Sequence, residues 1–142
     1  MSDVEFCDTN VLLYAHDSTA PPEKRERAQS LLTALWASRR GCLSTQVLQE
    51  FYVNVVRVTH DPVRARDIVQ QYIYLQWPNM IVEPPDLLFA MEQAERYRLS
   101  FWDALIVTSA QKARASVLWT EDLNSGQRMG DVVIRNPFMP MG

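Results

Sequence analysis

The sequence predicts an α/β domain in three layers, with a central, mostly parallel sheet of about five strands sandwiched between helices. Three observations carry this expectation. Short apolar runs alternate along the chain with longer stretches of helical periodicity, the pattern of parallel strands joined by crossover helices. The chain has 142 residues, close to the commonest size of one folding unit, and no repeat, low-complexity tract or Gly/Ser-rich linker divides it. Residues 1–142 therefore read as a single domain. Finally, 47% hydrophobic and 22% charged residues is a balance that buries a core without disulfide staples.

Taken in order, Val4 to Cys7 is a short apolar strand running into Asp8-Thr9-Asn10, and Val11 to His16 opens a helix. Asp17 to Pro22 is a loop of Ser, Thr and Pro. Pro22 suits a first helical turn, and Ala28, Leu31, Leu32 and Leu35 share one face of a helix to about Ser38. Gly41 is expected to end that helix, and Cys42-Leu43-Ser44 to form a second strand. Thr45 to Val58 carries the clearest helical stripe: Val47, Leu48, Phe51, Tyr52, Val55 and Val56. Arg64 to Leu75 continues as helix after Asp61-Pro62. Met80 to Val82 is a brief strand, Pro84 to Arg96 a helix, and Ser100 to Lys112 another. Ser116 to Trp119 and Val132 to Ile134 complete the strands.

Composition narrows the function. A net charge of −3 argues against coating nucleic acid by bulk electrostatics. Yet 12 of the 14 basic residues are Arg, whose fork suits local phosphate contacts. Cys7 and Cys42 lie far apart among apolar neighbours and read as reduced core positions, the usage of a cytoplasmic protein. The two acids in Met1-Ser2-Asp3-Val4-Glu5 are unlike the basic start of a signal peptide. No apolar run approaches the ~18 residues of a membrane span, so no membrane association is expected. His16 and His60 lack ligand spacing and read as surface or loop residues, so a zinc site is not expected.

The acids are the informative residues. Asp8 directly follows the first strand, and parallel sheets bind ligands beyond the carboxyl ends of their strands. An equally plain reading makes Asp8 or Thr9 a helix cap. Asp122 repeats the arrangement after Val117-Leu118-Trp119, although Asp122-Leu123-Asn124-Ser125-Gly126 is also rich in turn formers. Asp103 shares a helix face with Ile106, Val107 and Ala110, while Ser100 to Asp103 also fits a capping box. Glu50 borders the buried stripe of its helix, a position usually occupied by a solvated flank residue. Carboxylates gathered at the edge of a core repel one another. A hard divalent cation such as Mg²⁺ or Mn²⁺, bound by oxygens and retained waters, relieves that repulsion and stabilises a phosphodiester oxyanion.

Four segments in order resemble the PIN-domain family, specifically its bacterial toxins of the VapC type. They are Asp8-Thr9-Asn10-Val11-Leu12-Leu13-Tyr14, Ser44 through Glu50-Phe51, Phe101-Trp102-Asp103-Ala104-Leu105-Ile106, and Leu118-Trp119-Thr120-Glu121-Asp122-Leu123. A tail like Val133-Ile134-Arg135-Asn136-Pro137-Phe138 recurs in one branch of the family. The resemblance implies a PIN-like sheet and a metal-dependent endoribonuclease whose catalytic, metal-binding acids are Asp8, Glu50, Asp103 and Asp122. Asn10 and Thr120 fall where the family places polar groups that orient ligands or metal waters. Glu121 competes with Asp122 for the fourth acidic position, and Asp122 fits the Thr-x-Asp pattern better. The resemblance further implies an RNA substrate, often transfer RNA, a cognate antitoxin whose tail sends an Arg into the acidic pocket, and a homodimer.

Rival readings fare less well. A haloacid-dehalogenase-like phosphatase needs a second Asp where this chain has Asn10. A receiver domain needs a phosphorylated Asp at the end of its third strand and a later Lys, whereas the only Lys after Lys24 is Lys112, at the wrong end of a helix. A catalytically inactive PIN-like module that binds RNA or protein is the alternative from another class.

Overall fold

The computed structural model describes residues 3–139. Within them the chain runs β1 (Glu5–Cys7), α1 (Thr9–His16), α2 (Pro22–Ser38), β2 (Gly41–Ser44), α3 (Thr45–Thr59) and α4 (Pro62–Tyr74). It continues through β3 (Asn79–Met80), α5 (Pro84–Tyr97), α6 (Phe101–Lys112), β4 (Val117–Trp119), β5 (Arg128–Met129) and β6 (Val132–Arg135). Among the described residues the sheet has six strands in the order β3-β2-β1-β4-β6-β5, all pairs parallel except β5 with β6. The extra strand, β5, is two residues long and too short to show a period in the sequence.

The order explains the layers. Strands β1, β2 and β3 step outward in one direction, and the chain then crosses back beyond β1 to β4. Right-handed crossovers accordingly place α1–α4 on one face and α5–α6 on the other. Helix contacts follow this division: α1 packs on α2 and α3, α3 on α4, and α5 on α6. The middle strands are apolar on both faces, as a sheet covered twice must be. Phe6, Leu118 and Ile134 lie side by side in register and are fully buried. Ile106, Val107 and Ala110 of α6 join that core, while Ala104 and Leu105 meet Ala90 of α5.

Local chemistry sets the element ends. Ser44 Oγ accepts the Val47 N–H to start α3, and Asp61 Oδ1 accepts the Arg64 N–H to start α4 at Pro62, two residues before the expected Arg64. Helix α2 ends on Arg39, in the left-handed region at φ 57°, whose N–H reaches the Leu35 and Trp36 carbonyls. Gly41 is therefore not the helix terminator expected of it: it is the first residue of β2. Its small size serves the Trp77 indole, which occupies the space where a Cβ would stand. Strand β3 covers Asn79–Met80 rather than Met80–Val82.

Both cysteines are free and buried, and burial pushes the Cys42 thiol up to about 11 and that of Cys7 higher still. His60 is an exposed cap at the end of α3. His16 departs from its surface reading. Its ring packs edge-on against Phe51 and Tyr72, Nε2 lies 2.8 Å from the Tyr72 hydroxyl, and burial lowers its pKa. Among the described residues no helix is long and apolar enough to cross a membrane.

Candidate active site

The strand order reverses between β1 and β4, and both strands deliver acids from their carboxyl ends into the same crevice. Asp8 leaves β1 with its N–H on the Trp119 carbonyl of β4 at 3.0 Å. Its side chain caps α1 and faces the crevice at once. Oδ1 accepts the Thr9 N–H at 2.7 Å and Oδ2 accepts the Thr120 hydroxyl at 2.8 Å. The two readings of Asp8, cap and crevice acid, are both realised because a carboxylate has two oxygens. Asp8 is only 4% exposed. Burial, reinforced by Asp122 and Glu50 against the pull of its two hydrogen bonds, pushes its carboxyl up to about 7.

Glu50 is not the solvated flank residue that its position suggested. It is half-buried, Oε2 accepts the Thr9 hydroxyl at 2.8 Å, and Oε1 accepts Gln46 Nε2 at 2.8 Å. Asp103 sits in the first turn of α6, where Ser100 Oγ accepts its N–H at 3.1 Å. Burial raises the Asp103 carboxyl, with Asp122 and Glu50 adding to the rise and the Ser100 side-chain hydroxyl, as a donor to the carboxylate, opposing it. Asp122 is exposed, accepts Asn10 Nδ2 at 3.1 Å, and places its own N–H on the Thr120 hydroxyl. Asn10 Nδ2 also reaches Thr120 Oγ1 at 3.3 Å. The crevice thus brings Asp8, Glu50, Asp103 and Asp122 within electrostatic reach, with Thr120 and Asn10 tying β1 to β4.

Glu121 turns elsewhere. It pairs with Lys24 Nζ at 2.8 Å and accepts the Tyr14 hydroxyl at 2.6 Å. Lys24 also lies over the Tyr14 and Phe138 rings, so the C-terminal tail closes this separate cluster.

Two features bear on a cation. No Lys, Arg or His among the described residues pairs with any of the four crevice acids. The buried Asn10 Oδ1 accepts no hydrogen bond from the described residues. Four carboxylates, an orphaned amide oxygen and no neutralising side chain make an all-oxygen donor set that fits a hard divalent ion. Among the described residues no three His, Cys, Asp or Glu side chains stand close enough together to hold an ion between them as placed.

The family profile of the PIN domain matches residues 6–128, nearly the whole of this framework. The chain belongs to the PIN-domain family. Solved PIN-type structures share its fold. A toxin–antitoxin complex from Klebsiella pneumoniae matches with a TM-score of 0.68 at 20% identity, covering 94% of this chain and 97% of that one. VapC20 of Mycobacterium tuberculosis, described as a sarcin-ricin loop cleaving toxin, matches at 0.64 and 21% identity over 83% and 91%. DNA-bound VapBC from Salmonella typhimurium matches at 0.68 and 20% identity over 96% and 99%. No curated protein matches by sequence.

Within this PIN domain, sequence reasoning missed Gln46 and the crevice role of Thr9. Gln46 is buried, and besides Glu50 its Nε2 reaches the Trp102 carbonyl at 3.1 Å, linking α3 to the start of α6. Its spacing one turn before Glu50 was the available signal. Thr9 had only been weighed as a cap.

Proposed function

We propose that this PIN domain is a Mg²⁺- or Mn²⁺-dependent endoribonuclease, the toxin of a toxin–antitoxin pair, working in the cytoplasm. The observation that carries the reading is the gathering of four carboxylates at the β1/β4 crevice, with no ion-pair partner for any of them among the described residues. Asp8, Asp103, Glu50 and Asp122 would hold the ion. Once bound, it would supply the positive charge that a phosphodiester develops against in the transition state.

The remaining work falls to the chain's own side chains. The Thr9 N–H and Thr120 hydroxyl fix both oxygens of Asp8, and the Thr9 hydroxyl with Gln46 fixes both oxygens of Glu50. Asn10 orients Asp122. These bonds pre-set the acids, so little reorganisation is needed when substrate arrives.

The substrate is RNA, with transfer RNA the first candidate; the mycobacterial neighbour is described as a toxin that cleaves the sarcin-ricin loop. Neighbours described as toxin–antitoxin complexes support a cognate antitoxin as partner. A homodimer is supported by Leu88, Met91 and Trp102, large apolar side chains left exposed on α5 and α6.

Incubation of purified protein with total cellular RNA, with Mg²⁺ or Mn²⁺ and then with chelator, tests the reading. Cleavage should require metal. Asp8→Asn or Asp103→Asn should lower it by more than the roughly 100-fold typical of losing an outer-sphere partner. Cleavage indifferent to chelator, or near-normal turnover in either variant, overturns the metal assignment. Absence of cleavage under every metal condition selects the inactive binding module instead.

A further inference from the structure

A second concave surface lies at the opposite end of the sheet, where β4 and β6 begin. It is a groove of about 950 Å³ between α5, the end of α6 and the β5–β6 turn. Arg96, Arg114 and Arg128 line it. None of the three guanidinium groups forms an ion pair or hydrogen bond with the described residues, and Arg96 only rests over the neighbouring Tyr97 ring at 5.4 Å. Each of these arginines belongs to a different element or turn, so their meeting is a product of the fold.

The walls between them are fixed. Gln111 Nε2 donates to the Met129 carbonyl at 3.2 Å and pins the β5–β6 turn to α6. Gln93 Nε2 donates to Thr108 Oγ1 at 2.8 Å and pins α5 to α6. The groove is therefore rigid while its cations are free, the reverse of a structural salt-bridge network. Free guanidinium forks in a rigid concavity are suited to phosphate oxygens. Glu92 and Asp131 also line the groove and leave it a net +1, which suits the single charge of a phosphodiester better than a polyphosphate. Phe89 stands on the same rim, 58% exposed, and offers a face for a nucleobase.

We propose that this groove is a second nucleic-acid site, holding a nucleotide segment of single-stranded RNA by its phosphodiester and stacking one base on Phe89. The choice of RNA rests on the ribonuclease reading; the grip on phosphate does not. The groove holds the strand away from the crevice acids, so it anchors substrate without taking part in cleavage.

The test is fluorescence anisotropy with a labelled single-stranded RNA of 12 nucleotides, a length of about that order being enough to span one binding module, in chelator so that no cleavage is needed. Arg114→Gln combined with Arg128→Gln should weaken binding at least tenfold. It should also lower the slope of log affinity against log salt by about 0.7, the value for one single-strand phosphate contact. Phe89→Ala should weaken binding with the slope unchanged, because stacking releases no counterions. Arg39→Gln combined with Arg66→Gln removes equal charge elsewhere and should change affinity less than twofold. A smaller loss in the groove variant, an equal loss in the control pair, or full binding by the Phe89 variant overturns the proposal. Asp8→Asn separates the two readings: it should abolish cleavage and leave groove binding intact.

Discussion

The two ends of the sheet treat charge in opposite ways. At the carboxyl ends of β1 and β4, acids gather from the buried Asp8 out to the exposed Asp122, and three of them are bonded to neighbouring side chains: Asp8 to Thr120, Glu50 to Thr9 and Gln46, Asp122 to Asn10. At the amino ends of β4 and β6, the guanidinium groups of three arginines stand at an exposed rim with no hydrogen bond or ion pair to the described residues. The difference follows from solvation. A buried carboxylate loses its water and must be given donors, whereas a rim guanidinium keeps its water until a ligand replaces it. The first end is costly and position-specific; the second is cheap and adaptable.

The sharpest way to break this comparison is to titrate its costly end. Asp8 at about 7 in the folded protein, against about 4 for a free Asp, means that the folded state binds more protons than the unfolded one between those values. Metal-free protein should therefore lose stability as pH rises from about 4 to about 7 and lose no more from this group above it, on the order of 4 kcal/mol in total. Asp103, also raised, acts in the same direction. Asp8→Asn should remove most of that slope in chemical denaturation of chelator-treated protein. Subtracting variant from wild type also cancels His16, whose lowered pKa costs stability as pH falls instead. Equal slopes in the two proteins would mean that Asp8 is not desolvated as the structure has it.

Next in size is metal. An ion that binds only the folded protein, at 100 times its dissociation constant, adds about 2.7 kcal/mol. Thermal melting should show Mg²⁺ or Mn²⁺ raising Tm at pH 8 more than at pH 5, because protons compete for the same carboxylates. A shift of equal size in Asp8→Asn would place the ion outside the crevice.

The smallest effect belongs to the other end. Since the Arg114 and Arg128 guanidinium groups form no hydrogen bond or ion pair with the described residues, Arg114→Gln and Arg128→Gln should each change stability by less than about 0.5 kcal/mol. A loss well above that in a urea melt would show that these arginines are structural, and the contrast between the two ends would collapse.

Most of the architecture was legible because strands and helices leave periodic marks on the chain. Thr45–Thr59 could be read from Val47, Leu48 and Phe51, and the buried central strands from Phe6 and Leu118. Where periodicity was absent the reading missed: β5 has two residues, and Gly41 looked like a helix stop because nothing nearby announced Trp77. The acids were nameable but not their setting. Glu50 looked solvated because its partners are Thr9, 41 residues away, as well as the nearby Gln46.

By itself, then, the sequence determined the alternation of elements, the apolar faces and the identity of the acids, all of which depend on neighbours within a few turns of chain. Only the tertiary structure decided that Asp122 joins Asp8 while the adjacent Glu121 is drawn to Lys24 and Tyr14. Only it gathered three arginines from separate elements into one groove. Both outcomes depend on which strand lies beside which, and strand order is set by long-range packing that no local run of residues encodes.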